Sequence, residues 1–239
     1  MRDKNKKILF KVVDDGYIDI FDPPVPSKKI LPEWYKNQHK YTNGSHIEVG
    51  SNGNPNHTIK SCMPVFDVIT AGYMMVTPVD IFVEKDERGE SLTHWSSNHI
   101  VAVESHPVSQ YNQYSVSPEY NNVALKFIQP WVIETPPGYS CLFMQPSLRD
   151  DLPFQIVPAI VDTDRHPIKI NFPFFIRRDF TGVIPMGTPI AQIIPFKRED
   201  WNHEVLEDLS GKGKNKWYSA ERKIANRYKT FFRTAKRWD

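Results

Sequence analysis

Residues 135–196 read TPPGYSCLFMQPSLRDDLPFQIVPAIVDTDRHPIKINFPFFIRRDFTGVIPMGTPIAQIIPF. Short apolar, β-branched and aromatic runs alternate here with Pro, Gly and Asp, the pattern of strands joined by tight turns. Pro136-Pro137-Gly138 specifies a turn, because proline presets φ and glycine accepts the positive φ of a type II turn. A strand is expected over Tyr139–Met144 and another over Val157–Val161, the latter ending in Asp162-Thr163-Asp164-Arg165-His166. Residues 168–175 alternate polar and apolar, and Gly182 to Gly187 forms a second turn. Ile190–Phe196 is a long buried strand in which the amide of Gln192 needs partners, so Gln192 is expected to tie down a neighbouring loop. The chain is therefore expected to be mainly β and antiparallel, a distorted barrel or sandwich, with one or two helices at its C-terminal end.

Outward from this block, Asp14-Asp15-Gly16 between Ile8–Val13 and Tyr17–Phe21 is a hairpin signal. A Pro-rich segment follows, and Pro32 suits the start of a helical turn at Glu33–Lys36. There Trp34 and Tyr35 are expected to cover an open face of the β structure. Residues 40–57 read as a loop. Thr58–Phe66 and Val68–Val76 read as β segments, with a bulge or close backbone approach at Gly72. Ile81–Val83 and Leu92–Trp95 flank a second hairpin, and Asn121–Glu134 reads as one strand with Trp131 and Ile133 facing opposite to Val132. Asp200–Leu209 reads as a short acidic amphipathic helix with Asp200 as its N-cap. A basic helix follows from Ser219, with Ile224, Tyr228, Phe231 and Ala235 on one face. The organisation is thus residues 1–57 as framing, 58–199 as the β core and 200–239 as a helical basic tail.

The 239 residues carry a formal net charge of +2, which does not mark the whole chain as a nucleic-acid binder. The excess of cations in the tail, Lys212 to Arg237, leaves three readings there: a solvated basic face, a protein contact or a nucleic-acid contact. Two cysteines, Cys62 and Cys141, provide neither a disulfide framework nor a zinc pattern. Both sit in apolar runs and are expected to be small buried thiols. No apolar run is long enough to span a bilayer and no leader pattern is present, so a cytoplasmic location is expected, with no membrane partner.

Asp162, Asp164 and His166 project to one side of an extended chain. They can hold a divalent metal, one carboxylate can act as a general base on water, or the acids can simply accept backbone N–H groups in a turn. His94, His99 and His106 lie close in sequence, but their spacing matches neither a helical zinc motif nor a clean strand alternation.

Thr135–Tyr139, the Asp162–Asp164 pair and Gly187–Ala191 together resemble an uncharacterised family of bacterial and phage proteins. Leu31–Lys36 and Thr58–Tyr73 resemble that family's N-terminal half, and the likeness implies no established activity. A second likeness is to the dUTPase and dCTP deaminase group. It rests on Ala71-Gly72-Tyr73, Pro137-Gly138-Tyr139, Gln145-Pro146-Ser147, Ala159–Asp164 and Gly187–Gln192, in the family's order. That resemblance implies a β-clip fold, an oligomer (usually a trimer), Asp162 as the catalytic base with Asp164 beside it, and Mg²⁺ entering with a nucleotide. Tyr139, Ser147, Arg149 and Gln192 would then line the ligand site. This chain departs from the pattern at Met74, where the family has aspartate, and at Gln145-Pro146-Ser147, where it has Pro-Arg-Ser. Arg165 stands in place of a tyrosine, and the glycine-rich closing arm is absent, unless Gly211–Lys214 is its remnant. The residues kept are largely those that shape turns and strands, and the residues lost are largely those that touch substrate.

The leading expectation is a non-catalytic binding or structural module of phage or bacterial type, oligomeric, without cofactor, located in host cytoplasm or virion if phage-encoded. The alternative is a nucleoside triphosphate pyrophosphatase using Asp162. A third reading, a metal-dependent oxygenase on a cupin-like fold, would use His94, His99 or the Asp162–His166 segment.

Overall fold

The computed structural model describes residues 6–12, 21–44, 46–48, 56–205 and 228–238. Fourteen strands occur in the described chain: β1 (Leu9–Val12), β2 (Val25–Pro26), β3 (Tyr73–Val76), β4 (Ile81–Lys85), β5 (Ser91–Trp95), β6 (Val103–Ser105) and β7 (Leu125–Phe127), then β8 (Trp131–Glu134), β9 (Tyr139–Met144), β10 (Phe154–Ile156), β11 (Ala159–Val161), β12 (Phe172–Ile176), β13 (Gly182–Ile184) and β14 (Pro189–Lys197). The described residues include two short α-helices, α1 (Glu33–Asn37) and α2 (Met63–Ile69). The strands form sheets in the orders β1-β8, β10-β12-β7-β6, β11-β9-β14-β3-β2 and β13-β4-β5. Every pairing is antiparallel. The protein is mainly β, as its alternating runs require.

The chain divides into two compact units: residues 1–30 with 71–198 and Trp238, and residues 31–70 with 199–237 and residue 239. All the strands belong to the first. Its core is one cluster in which Phe127 stacks on Phe174 with centroids 3.7 Å apart, and Phe154 meets both edge-on. These three rings come from β7, β12 and β10, neighbours in the four-stranded sheet, so cross-strand aromatic contacts knit its inner face. Each fully buried phenylalanine contributes roughly 2–3 kcal/mol of apolar burial.

The five-stranded sheet is built on β14. It pairs with β9 from Gln192↔Met144 to Lys197↔Tyr139, and with β3 from Pro189↔Val76 to Ile193↔Tyr73. Gly72 enters β3 at φ +64, and a Cβ there would stand 1.9 Å from the Ile193 carbonyl oxygen. This is the close backbone approach expected from Thr70–Tyr73, and only glycine permits it. Ser27 seals the same corner, its N–H donating to Gly72 O and its hydroxyl to Ala71 O.

The second unit carries both α-helices. Tyr35 is buried, its ring 6.4 Å from Phe66 with Lys60 Nζ above it at 5.0 Å, and Trp34 meets it edge-on. Asp67 accepts from Arg233 and Lys236, the Arg233 Nη2 contact being 2.7 Å. The two cations hold its carboxyl below the ordinary range.

Several sequence expectations are corrected. Thr58–Phe66 is not β: Ile59–Ser61 is a 3-10 turn capped by Thr58, and Met63–Ile69 is helical. Pro64 in the first turn presets helical φ where no N–H partner is needed, and this outweighs the β propensity of Val and Ile. Cys62, at that helix's N-cap, is exposed rather than buried, whereas Cys141 is buried as expected. The Asn121–Glu134 strand is two, β7 and β8, because Gln129 Oε1 takes the Trp131 N–H and Pro130 lacks a donor. The two-sided facing of Trp131, Val132 and Ile133 holds. Residues 200–205 are not helical, and the remainder of the expected acidic helix lies outside the described residues. Of the expected basic helix, residues 219–227 also lie outside them. Tyr228–Phe232 form one π-helical turn closed by Arg233 N–H to Tyr228 O, and the chain is irregular from Arg233. Of the first hairpin, Leu9–Val12 is a strand, but it pairs with β8; its turn, with Tyr17–Ile20, lies outside the described residues. The second hairpin forms as expected from β4 and β5.

Candidate functional site

Four of the five dUTPase-like motifs fall in or next to strands of one sheet: Ala71–Tyr73 leads into β3, Pro137–Tyr139 into β9, Ala159–Asp164 runs through β11, and Gly187–Gln192 leads into β14, while Gln145–Ser147 forms the loop after β9. Their candidate side chains gather in two clusters at opposite ends of β9.

At the first end, Asp164 is almost fully covered, with 5% of its side chain exposed. It accepts from the Gly138 N–H at 2.8 Å and from Arg198, whose Nη1 lies 2.8 Å from Oδ1. The Arg198 guanidinium, helped by the Gly138 N–H, holds the Asp164 carboxyl at about 2. Asp162 is 55% exposed; it accepts from the Ser140 hydroxyl at 2.7 Å and lies 3.2 Å from Arg198 Nη1. Between them Thr163 is buried, its hydroxyl 2.7 Å from that of Thr135 and donating to Cys141 Sγ. The turn itself is closed by the Asp162 carbonyl, which accepts from the Arg165 and His166 N–H groups. Tyr139 joins through its backbone: its carbonyl accepts from Thr135 Oγ1 and Arg198 Nη1. Its ring faces Lys6 Nζ at 5.1 Å. His166 turns to the Ile168 carbonyl instead of the acids.

At the other end Gln192 is fully buried. Its Oε1 accepts from both the N–H and the hydroxyl of Ser147, at 3.0 and 2.7 Å, and its Nε2 donates to Ala71 O at 2.8 Å. The expected tie is thus present and double, holding the loop after β9 and the bulge before β3. Arg149 is directed elsewhere, onto Asp151.

Asp162 bonds Ser140, which pairs with Phe196, four residues along β14 from Gln192, so the two clusters lie about 13 Å apart along the sheet. Of the histidines, His94 and His99 line one open cleft, while His106 packs edge-on against Tyr111. Among the described residues no group of three or more His, Cys, Asp or Glu is placed to hold a metal ion, and no helix is long and apolar enough to cross a membrane.

Arg198 is the residue that the sequence reading missed. It looked like one cation among many after a strand. The only available signal was that two acids closing a strand need a cation, and nothing local says which.

Comparison of the chain with protein-family models and with curated proteins finds no match.

Proposed function

We propose that this chain is a non-catalytic binding or structural module of phage or bacterial type, built on a β-clip and self-associating. The observation that carries this reading is the employment of the candidate catalytic groups. Asp164 is committed to Arg198 and Gly138, and Ser147 and Gln192 to one another. A base that activates water must be free to take its proton, and a phosphate-binding hydroxyl must be free to donate. The placement of four of the dUTPase-like motifs in or next to strands of one sheet supports a shared scaffold, and scaffold does not carry reaction with it. Self-association is supported by β11, which ends the five-stranded sheet with Ile160 64% exposed. The basic tail is the second contact surface of this reading, for a partner chain or nucleic acid. Of its described cations, Arg233 and Lys236 are already engaged by Asp67.

One observation favours a nucleotide pyrophosphatase as the second reading: Asp162 keeps more than half its side chain in solvent. Pyrophosphate release from dUTP and dCTP with Mg²⁺ separates the two. The module reading expects no turnover above buffer. Turnover abolished by Asp162→Asn would replace it with the enzyme. Light scattering of the full chain tests self-association, and a monomer at every concentration would remove that part.

A further inference from the structure

Two Arg–Asp forks of one design face a common cleft. In each, an aspartate two residues downstream takes the side edge of the guanidinium. Arg149 Nε and Nη2 donate to Asp151 at 2.7 and 2.8 Å, and Arg177 Nε and Nη2 donate to Asp179 at 3.1 and 2.9 Å. A guanidinium carries five coplanar N–H donors. The side edge uses two, and the Nη1–Nη2 end edge keeps a second bidentate pair with the spacing of a carboxylate or phosphoryl group. Both arginines and both aspartates line an open cleft of about 510 Å³, whose other walls include Phe180 and Val183. A cleft of that size, with apolar and polar wall in similar measure, has room for a small molecule.

The loop that presents Arg149 is strained and over-determined. Leu148, immediately before it, sits at φ 57, a left-handed conformation that costs a non-glycine residue roughly 1–2 kcal/mol. The segment leading into it is anchored twice: Ser147 is locked to Gln192, and Gln145 bonds Phe154 O and the Ile156 N–H. Strain maintained by such a frame fixes the direction of the next side chain. The aspartates then hold the plane of each guanidinium.

We propose that this cleft binds a small organic anion, its apolar or aromatic body against Phe180 and Val183 and its carboxylate or phosphoryl group in the end edges of Arg149 and Arg177. Because each fork is internally neutral, charge alone does not recruit the ligand; shape and the oriented donors must act together. The site stands apart from the Asp162 turn, so it holds whether or not that turn does chemistry.

Isothermal titration of the full chain at low salt tests this, with benzoate, phenyl phosphate, inorganic phosphate and benzyl alcohol as probes. Saturable binding of benzoate or phenyl phosphate is expected, and the tighter of the two assigns the anionic group. Benzyl alcohol and inorganic phosphate should bind at least about tenfold more weakly, each lacking half of the recognition. Arg177→Gln and Val183→Glu, at side chains 41% and 43% exposed, should each weaken the aryl anion by about tenfold or more. Thermal unfolding of the two variants should match the parent. Absence of saturable binding by both aryl anions, or affinity unchanged in either variant, would overturn the proposal.

Discussion

Arg198 lies across the acidic turn and engages both of its aspartates, forking onto Asp164 and reaching Asp162 at 3.2 Å. The residue just past the end of β14 thus fixes the turn that follows β11. These two strands are not neighbours; β9 lies between them. The clamp joins three strands of the sheet at one end, as Gln192 joins its loops at the other.

The pH dependence follows from the direction of the shift. The folded carboxyl of Asp164 lies at about 2, below the 3.8 of the free group. Its contribution is complete above the unfolded value and is lost as pH falls from about 4 toward 2. Asp164→Asn should lower the urea midpoint at pH 7, and the gap between variant and parent should shrink on acidification and close near pH 2. A gap independent of pH would show that the carboxylate charge is not what holds the turn.

Gly72→Ala places a methyl group 1.9 Å from the Ile193 carbonyl in a left-handed backbone. Neither β3 nor β14 can yield without breaking the central pairing of the sheet. A loss on the order of 3 kcal/mol or more is expected. Chemical denaturation measures it, and a variant as stable as the parent would mean that the two backbones are further apart than described.

Gln192→Leu should cost more than Ser147→Ala. The first leaves a buried Ser147 N–H without its partner and removes one of two side-chain donors from the Ala71 carbonyl, which keeps the Ser27 hydroxyl, a loss of about 1–3 kcal/mol; the second deletes a single hydroxyl contact, worth about 1 kcal/mol. Equal losses in a denaturation series would locate the value of the tie in Ser147 alone.

The two thiols should differ sharply. Cys62 is exposed at the start of α2, and Cys141 is buried, its thiol pushed up to about 11 by burial. At pH 8 a thiol reagent should modify one cysteine promptly in the native protein and the second only after unfolding. Prompt modification of both would contradict the burial of β9.

Much of the β structure was legible locally. Tyr139–Met144, Ala159–Val161 and Pro189–Lys197 are strands because their apolar runs are bounded by Pro, Gly and Asp, and the β4–β5 hairpin follows from its own turn residues. The demand of Gln192 for partners was readable from its place in an apolar run. Other features depended on competition between signals. Pro64 turned a β-prone run into α2, and Pro130 split one expected strand in two.

By itself the chain determined that short antiparallel strands would form, where most of them turn, and that the backbones must meet closely at Gly72. These are properties of neighbouring residues, set by backbone preference and side-chain alternation. Which cation would meet Asp162 and Asp164, and which loop would meet Gln192, was decided only when β9 and β14 paired in register. Such pairings join residues distant in sequence, and many arginines and loops satisfy the same local rule. The same pairing put the Asp162 and Ser147 contacts about four strand residues apart, roughly 13 Å, a separation that no motif spacing reveals.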